Sequence, residues 1–405
     1  MTLAATLVAG AVLGKSDNPE GAYKPLAVYT EVLARIKSDY VEEPDIEKVT
    51  RGALQGLVEY LDPLSSYLSA DQYGEYLEKL KFPDKGTGQS TGLVVHKRAN
   101  YTAVLNVLPG SSADRAGVRV GDLIEAVDKV STRALPPALF YGRLSGEPGS
   151  SVEVLLRSAS APDEPKDLVL EREEVKFPDV ESKMLDGGVG YIDMGVVDKK
   201  RIEQVAVAAK KLTGQGAKQI ILDLRENAIG DPGDGFALAD LFVENGEMGS
   251  LKGQRFPQKT FRATKDATVT DAELAILVDR PTCRAAEVAA AAILGAGRGV
   301  VVGERTYGLA AQQEMISLDE GAALILSVAK YYPAEGDAIH INGVEPNIPV
   351  DPGDVRDYRD PEKPADAKDP FVEKALEAFR GEVEPKELEK AAQSRATEAW
   401  TEVDA

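Results

Sequence analysis

One cysteine, Cys283, and two histidines, His96 and His340, are all the thiol and imidazole that this chain of 405 residues possesses. They cannot assemble a multi-cysteine or multi-histidine metal cage, an intramolecular disulfide is excluded, and no motif asks for an organic cofactor. Chemistry therefore rests on hydroxyls, amines, carboxylates and backbone amides. Cys283 is followed by Arg284 where a helix is expected to open. A guanidinium and a helix start both lower a thiol pKa, and such a nucleophile would still need a base, for which His340 is the sole candidate. The bland alternative is a small apolar residue filling a core. Thr282 offers a hydroxyl at the same point, with no amine placed to activate it. Asp223 and Glu226, on either side of Leu224-Arg225, suggest paired carboxylates; hydrogen bonds closing a strand end are the simpler expectation.

The chain carries 47 basic against 67 acidic residues, a net charge of −20, which repels nucleic-acid phosphates and anionic lipid headgroups. Its length allows two to four domains, and 43% hydrophobic with 28% charged residues is globular material. Leu3 to Gly14 is an uncharged run, too short to cross a bilayer as a helix but long enough for a signal-peptide core or part of an anchor, although a basic flank is missing. Gly10 to Ser16 nearly spells a phosphate loop, with three residues between the glycines where four are needed, and Pro19 and Gly21 are expected to prevent the helix that would hold phosphates.

Around the candidate groups, helical spacing predicts helices over Lys24 to Tyr40, Asp45 to Leu61 and Ala70 to Leu80, with a turn at Asp62 to Tyr67. Strand-like runs follow at Gly92 to His96, Thr102 to Val107, Leu123 to Val127 and Val152 to Leu156, with a short helix near Ala138 to Leu144. Beyond Glu171 strands and helices alternate: Val189 to Met194, Arg201 to Thr213, Gln219 to Leu224, Phe236 to Val243, Leu274 to Val278, Ala285 to Leu294, Gly299 to Val302 and Ala322 to Tyr331. That alternation predicts an α/β core around a buried sheet. The chain thus divides into a signal-like segment (1–23), a helical element (24–82), a β-rich domain (84–174), an α/β core (175–350) and a charged tail (351–405) with one amphipathic helix at Phe371 to Phe379, after which an Ala/Glu/Lys-rich stretch is expected to be solvated or frayed.

Leu108-Pro-Gly-Ser-Ser-Ala-Asp-Arg-Ala-Gly-Val-Arg-Val-Gly-Asp-Leu-Ile-Glu-Ala-Val127 resembles the middle of a PDZ domain of the bacterial protease type. Gly110, Gly117 and Gly121 supply its turns, and Ala113 and Ala116 a closely packed short helix. The resemblance implies that a peptide C-terminus is taken as an added strand, its carboxylate held by a loop that here would be Thr91-Gly92-Leu93-Val94, with Val94 where the family usually has a second glycine.

Residues 25 to 350 resemble the C-terminal processing (tail-specific) peptidases, serine endopeptidases with a Ser/Lys dyad. The likeness rests on Asp62-Pro63 with Ser66-Tyr67-Leu68, Val189-Gly-Tyr-Ile192, Leu222-Asp-Leu-Arg225 with Asn227 and Gly230, Val302-Gly-Glu-Arg-Thr-Tyr-Gly308, Val328-Ala-Lys-Tyr-Tyr332, and His340 with Gly343, Glu345 and Pro346. The implied fold is a helical N-terminal element, a PDZ-like domain and an α/β peptidase core. The implied nucleophile stands three residues before a glutamate at a helix start; here Pro281-Thr-Cys-Arg284-Ala-Ala-Glu287 puts Arg284 there, and a guanidinium does not attack carbonyls. The lysine base should follow Thr306-Tyr307-Gly308, where Leu309 stands. Gln313, which in the family orients that lysine, is retained. The oxyanion segment reads Asn227-Ala228-Ile229-Gly230 in place of Asn-Pro-Gly-Gly, leaving Gly230 and the Ala285 amide as donors.

The expectation is an exported pseudopeptidase in, or anchored facing, a bacterial periplasm, binding polypeptide C-termini or unfolded segments or regulating an active relative. The alternatives are an endopeptidase with relocated groups, at Cys283 or Thr282, and an assembly scaffold that dimerises through its N-terminal helices. Neither nucleic acid nor a metal is an expected partner, and contact with a membrane is expected only through the N-terminal segment.

Overall fold

The computed structural model describes residues 19–82, 89–98, 101–159, 161–174, 176–351 and 368–386, the first five as backbone only. The signal-like run, the near-phosphate loop and most of the charged tail lie outside the described residues. None of the described helices is long and apolar enough to cross a membrane.

Two units meet after Gly56. The first holds α1 (Pro19–Asp39) and most of α2 (Ile46–Glu59). The expected break at Pro19 and Gly21 is overturned: α1 begins at Pro19, where the missing N–H lies in a first turn that leaves it unbonded anyway, and continues through Gly21 and Pro25. No side chain between residues 24 and 56 is buried, and Leu26, Val28 and Val32 are exposed.

The second unit begins with a strand that sequence pattern does not reveal. Ser66–Leu68 (β1), expected as part of a turn, is three residues long and is specified by its antiparallel partner Ala323–Pro333, with Ser66 opposite Ile325. Helix α3 (Ala70–Lys79) follows.

The β-rich domain comprises β2 (Leu93–Arg98), β3 (Tyr101–Val107), α4 (Ser112–Arg115), β4 (Leu123–Val127), β5 (Val130–Ser131), α5 (Pro137–Leu144), β6 (Ser151–Ser158) and β7 (Ala161–Glu171). Its sheet runs β2-β3-β4-β6-β7, with β5 on β4. Leu93, Val104, Ile124, Phe140, Val154 and Leu170 form its core. The two prolines and the charges of β7 hide it from pattern reading; pairing with β6, Ser151 opposite Glu171, defines it. Gly92 opens β2 with φ +82°, and a Cβ there would lie 2.0 Å from the Ser111 hydroxyl, so only glycine fits.

The core contains β8 (Glu181–Met184), β9 (Val189–Asp193), α6 (Lys199–Gly214), β10 (Gln219–Asp223), α7 (Asp234–Asp240), β11 (Glu247–Lys252), β12 (Lys259–Arg262), β13 (Glu273–Val278), α8 (Ala285–Gly295), β14 (Val300–Gly303), β15 (Ala311–Ser317), β16 (Ala323–Pro333), α9 (Ile339–Asn342) and β17 (Ile348–Pro349). Its main sheet, β17-β14-β13-β10-β9-β8, is parallel except at the β8 edge. The apolar run Ile220-Ile221-Leu222 is explained by burial on both faces: Ile220 and Leu222 pack with α6, α7 and α8, whereas Ile221 faces a second cluster with Phe371 and Ala375. Those two belong to α10 (Pro370–Phe379), so the amphipathic helix expected at Phe371 to Phe379 covers one face of the sheet. The antiparallel path β1-β16-β11-β12, with β15 on β16, forms the remaining sheet.

Candidate active site

Three adjacent parallel strands, β10, β13 and β14, deliver the loops that matter from their carboxyl ends: Leu224–Gly230, Asp279–Arg284 and Glu304–Ala310. Ligand and catalytic groups gather at this edge of parallel sheets. Asp223 closes β10 by pairing with Arg225 (2.9 and 3.1 Å), which also meets Asp369 and lies over Phe371, so this motif is structural as expected. Among the described residues six that are not glycine adopt positive φ, and three of them stand in or against these loops: Glu226 (φ 56°), Arg284 (φ 57°) and Ile341 (φ 77°), whose amide donates to the Gly308 carbonyl. Strain of this kind costs on the order of 1–3 kcal/mol each and gathers at functional sites.

Arg284 is the residue immediately before α8, with ψ −121°, and its amide donates to Glu287 Oε1 at 3.0 Å. Glu287, fully buried in a helix otherwise made of alanine, valine, isoleucine, leucine and glycine, also accepts from Leu309 N (2.6 Å) on the same oxygen, and from Gly308 N (2.8 Å) and Thr306 Oγ1 (2.9 Å) on the other. Burial pushes its pKa up to about 7 against the pull of these donors. This one carboxylate locks the residue 306–309 loop to the start of α8 and thereby sets Arg284 and Leu309 as a pair. The sequence carried the signal, a lone acid in an apolar helix, but sequence reasoning used Glu287 only as a motif marker.

Leu309 is 3% exposed and Cys283 1%. With Leu64, Leu105 and Ala228 they form a closed apolar cluster, flanked by Val94 and Tyr307, that spans β3 of the PDZ-like domain and the core. The expectation of a lowered thiol pKa is corrected: burial, then Glu287, push the Cys283 thiol upward, and the opposing pull of Arg284 is smaller. Thr282 is fully buried and its hydroxyl donates to Asp279 Oδ1 (2.6 Å) with the Leu224 carbonyl oxygen 3.1 Å away, a turn role that leaves it unfit as a nucleophile. No hydrogen bond joins His340 to the thiol among the described residues; its Nε2 lies 3.8 Å from Asp62 Oδ1. Gln313 Nε2 donates to the Leu64 carbonyl at 2.9 Å and so supports the plug from β15.

Gly230 and Ala285 are brought together. Gly230 has φ +129°, and a Cβ there would stand 3.0 Å from Ala285 Cβ and 2.3 Å from the Val197 carbonyl oxygen. Ile229 is buried with Leu108 of the PDZ-like domain and Val196, while Asn106 of β3 donates to the Glu226 carbonyl, so the loop from Glu226 to Ile229 is anchored on that domain. None of the ion pairs among the described residues involves Arg284, and its charge is felt at the Tyr141 hydroxyl.

Thr91 and Leu93 of the candidate carboxylate loop are buried, Val94 packs between the apolar clusters, and the Gly92 carbonyl accepts from Leu108 N. Along the β2 edge, Lys97 N donates to the Tyr141 hydroxyl (3.4 Å), which also contacts His96 Nδ1 (3.0 Å); the His96 ring in turn meets Tyr307 edge-on at 4.9 Å. Tyr141, on α5, therefore sits where an added strand would bond. Sequence reading missed it because its role arises only from the α5–β2 contact.

Asp62 braces the turn that carries Leu64 into the cluster, accepting from the Leu64 and Ser65 amides at 2.8 and 2.9 Å. Burial raises its pKa, but the His340 ring, the Ser65 hydroxyl and the Leu64 amide bring it down to about 2. That is below the unfolded value of 3.8, so its contribution is fully present above pH 3.8 and is lost as pH falls through about 2, roughly 2 kcal/mol in all. Asp62→Asn should therefore be less stable than the wild type by about that amount at pH 5, with the difference vanishing near pH 2 in paired thermal melts; a constant difference would refute the assignment.

Residues 188–350 match the model of peptidase family S41, and residues 104–158 a PDZ domain model. A carboxy-terminal-processing protease of Bartonella bacilliformis is 27% identical over 356 residues, covering 86% of this chain and 80% of the relative. A carboxy-terminal processing protease of Bacillus subtilis is 27% identical over 339 residues, covering 83% and 71%. Among solved structures, a photosystem II D1 C-terminal processing protease superposes with a TM-score of 0.62 at 25% identity, covering 80% of this chain and 93% of that one.

Proposed function

The chain belongs to the C-terminal processing peptidase family, and from that premise we propose that it is a non-cleaving member, exported from a bacterial cell, that binds unstructured or C-terminal polypeptide segments through its PDZ-like domain. One observation carries the reading: Arg284, which the resemblance aligns with the nucleophile, stands at a strained helix start, and Leu309, which it aligns with the base, is packed into an apolar plug. A hydroxyl and a neutral amine are both absent from the pair that Glu287 sets, and without them acyl transfer has neither attacking atom nor proton acceptor. The peptide-binding half rests on the edge strand β2 and the glycine at its start.

Fluorescence titration with a labelled peptide ending in a free apolar residue tests that half. Binding in the micromolar range is expected, weakened by amidation of the terminus. Tyr141→Phe, which removes the hydroxyl bonded to Lys97 N, should tighten binding by about fivefold. No binding at high micromolar peptide would favour the assembly role instead.

A further inference from the structure

A cavity of about 520 Å³ opens in the PDZ-like domain where β3 and β4 part company. The two strands share a single register pair, Ala103 with Leu123, and the rest of β4 pairs with β6 and β5. None of the cavity's lining residues belongs to the cluster around Cys283 and Leu309 or to the loop at residues 91–94.

Its wall is largely hydrocarbon, supplied by the Tyr101 ring, Leu123, Ala126 and Leu155. Two polar features stand out against it. Thr102 is 1% exposed, and its Oγ1 has no hydrogen-bond partner, although an orphaned buried hydroxyl costs on the order of 1–3 kcal/mol. At the rim, Arg133 is exposed, stacked over the Tyr101 ring at 5.9 Å, and has no carboxylate partner among the described residues. The other two cations of the lining are already engaged, Arg157 with Glu125 at 2.8 Å and Lys129 with Glu153 at 3.3 Å. A chain of net charge −20 thus holds here a pocket edged by three cations and one carboxylate.

The geometry points to a binding site for a small amphipathic carboxylate, an aryl- or branched-alkyl acid whose hydrocarbon lies against Tyr101 and Leu155 and whose carboxylate meets the Arg133 guanidinium and the Thr102 hydroxyl. The volume is within the range of small-ligand sites, and a planar guanidinium is the donor that suits a carboxylate. The site is independent of whether the protein cleaves peptides and of whether β2 accepts a strand.

Calorimetric titration of the whole chain with 4-phenylbutyrate at low salt tests it. Binding at millimolar concentration or tighter is expected, with 4-phenylbutan-1-ol, the uncharged analogue, about tenfold weaker, and with Arg133→Gln reducing acid affinity about tenfold. Arg133 is exposed, so that variant does not threaten the fold. Thr102→Val should cost roughly threefold. A blocked tripeptide ending in phenylalanine separates the two sources of such a group: affinity above that of the free acid and sensitive to Arg133→Gln assigns a polypeptide end, whereas weaker binding assigns a free acid. No heat from the acid up to roughly 10 mM, or equal affinity in Arg133→Gln, would overturn the site.

Discussion

Glu287→Ala should destabilise the protein by about 4 kcal/mol at pH 5, among the largest effects any single substitution in this chain can have. Four donors lose their acceptor at once: the amides of Arg284, Gly308 and Leu309 and the Thr306 hydroxyl. Each orphaned donor costs about 1–3 kcal/mol, less than additively if water enters the space vacated. The loss should shrink with pH. The wild-type carboxyl has a folded pKa of about 7 against 4.5 unfolded, so its burial is cheapest below pH 4.5, and roughly 3 kcal/mol of stability disappears as pH rises through 7. The variant has no such carboxyl, and its deficit at pH 8 should be a fraction of that at pH 5. Thermal or denaturant melts at the two pH values decide the matter; a deficit below about 1 kcal/mol at pH 5 would remove Glu287 from its role as the clamp of the site.

Arg284→Ser combined with Leu309→Lys should restore measurable peptide cleavage. The backbone that the pair requires is in place: positive φ at residue 284, the Glu287 bonds to both segments, and Gly230 beside Ala285 as donors. A lysine at 309 would enter the cluster of Leu64, Leu105, Ala228 and Cys283, where desolvation favours the neutral amine that a base must be. The same desolvation should lower stability by about 3 kcal/mol, so folding must be verified by circular dichroism before activity is read. Activity far below that of an intact dyad is expected, because the resemblance puts Ala228 and Ile229 where the family's oxyanion segment has proline and glycine, and losing one donor costs about 10²–10³ in rate. A folded but silent double variant would place a second lesion at Ala228-Ile229 and overturn the view that the dyad positions alone silence the site.

Much of this architecture is legible in the sequence because periodicity and burial agree. Gln219 to Leu224 reads as a buried strand since both faces of β10 are covered, and Ala285 to Leu294 as a helix since α8 is apolar nearly all round. Illegible elements are those defined by a partner: β1 by β16, and β7 by β6. The covering role of α10 is likewise invisible in its own pattern, which shows an apolar face but not what that face meets. At the site, the resemblance points to Arg284 and Leu309, and their loops lie side by side because the strands that deliver them are neighbours in the sheet. What spacing could not show was burial: Cys283 beside an arginine looks reactive in one dimension and is sealed and raised in pKa in three. Tyr141 and Asp62 were invisible as site residues because their partners, Lys97 and His340, stand 44 and 278 residues away along the chain.

The central claim, that replacement of the dyad has silenced a family scaffold, is tested most directly by incubating the purified wild-type protein with a denatured protein substrate and following fragments by mass spectrometry, with Cys283→Ala in parallel. The account predicts that no fragments appear above those of the substrate alone, in the wild type as in the variant. Reproducible fragments from the wild type would contradict it; their loss in Cys283→Ala would identify the buried thiol as the nucleophile after all.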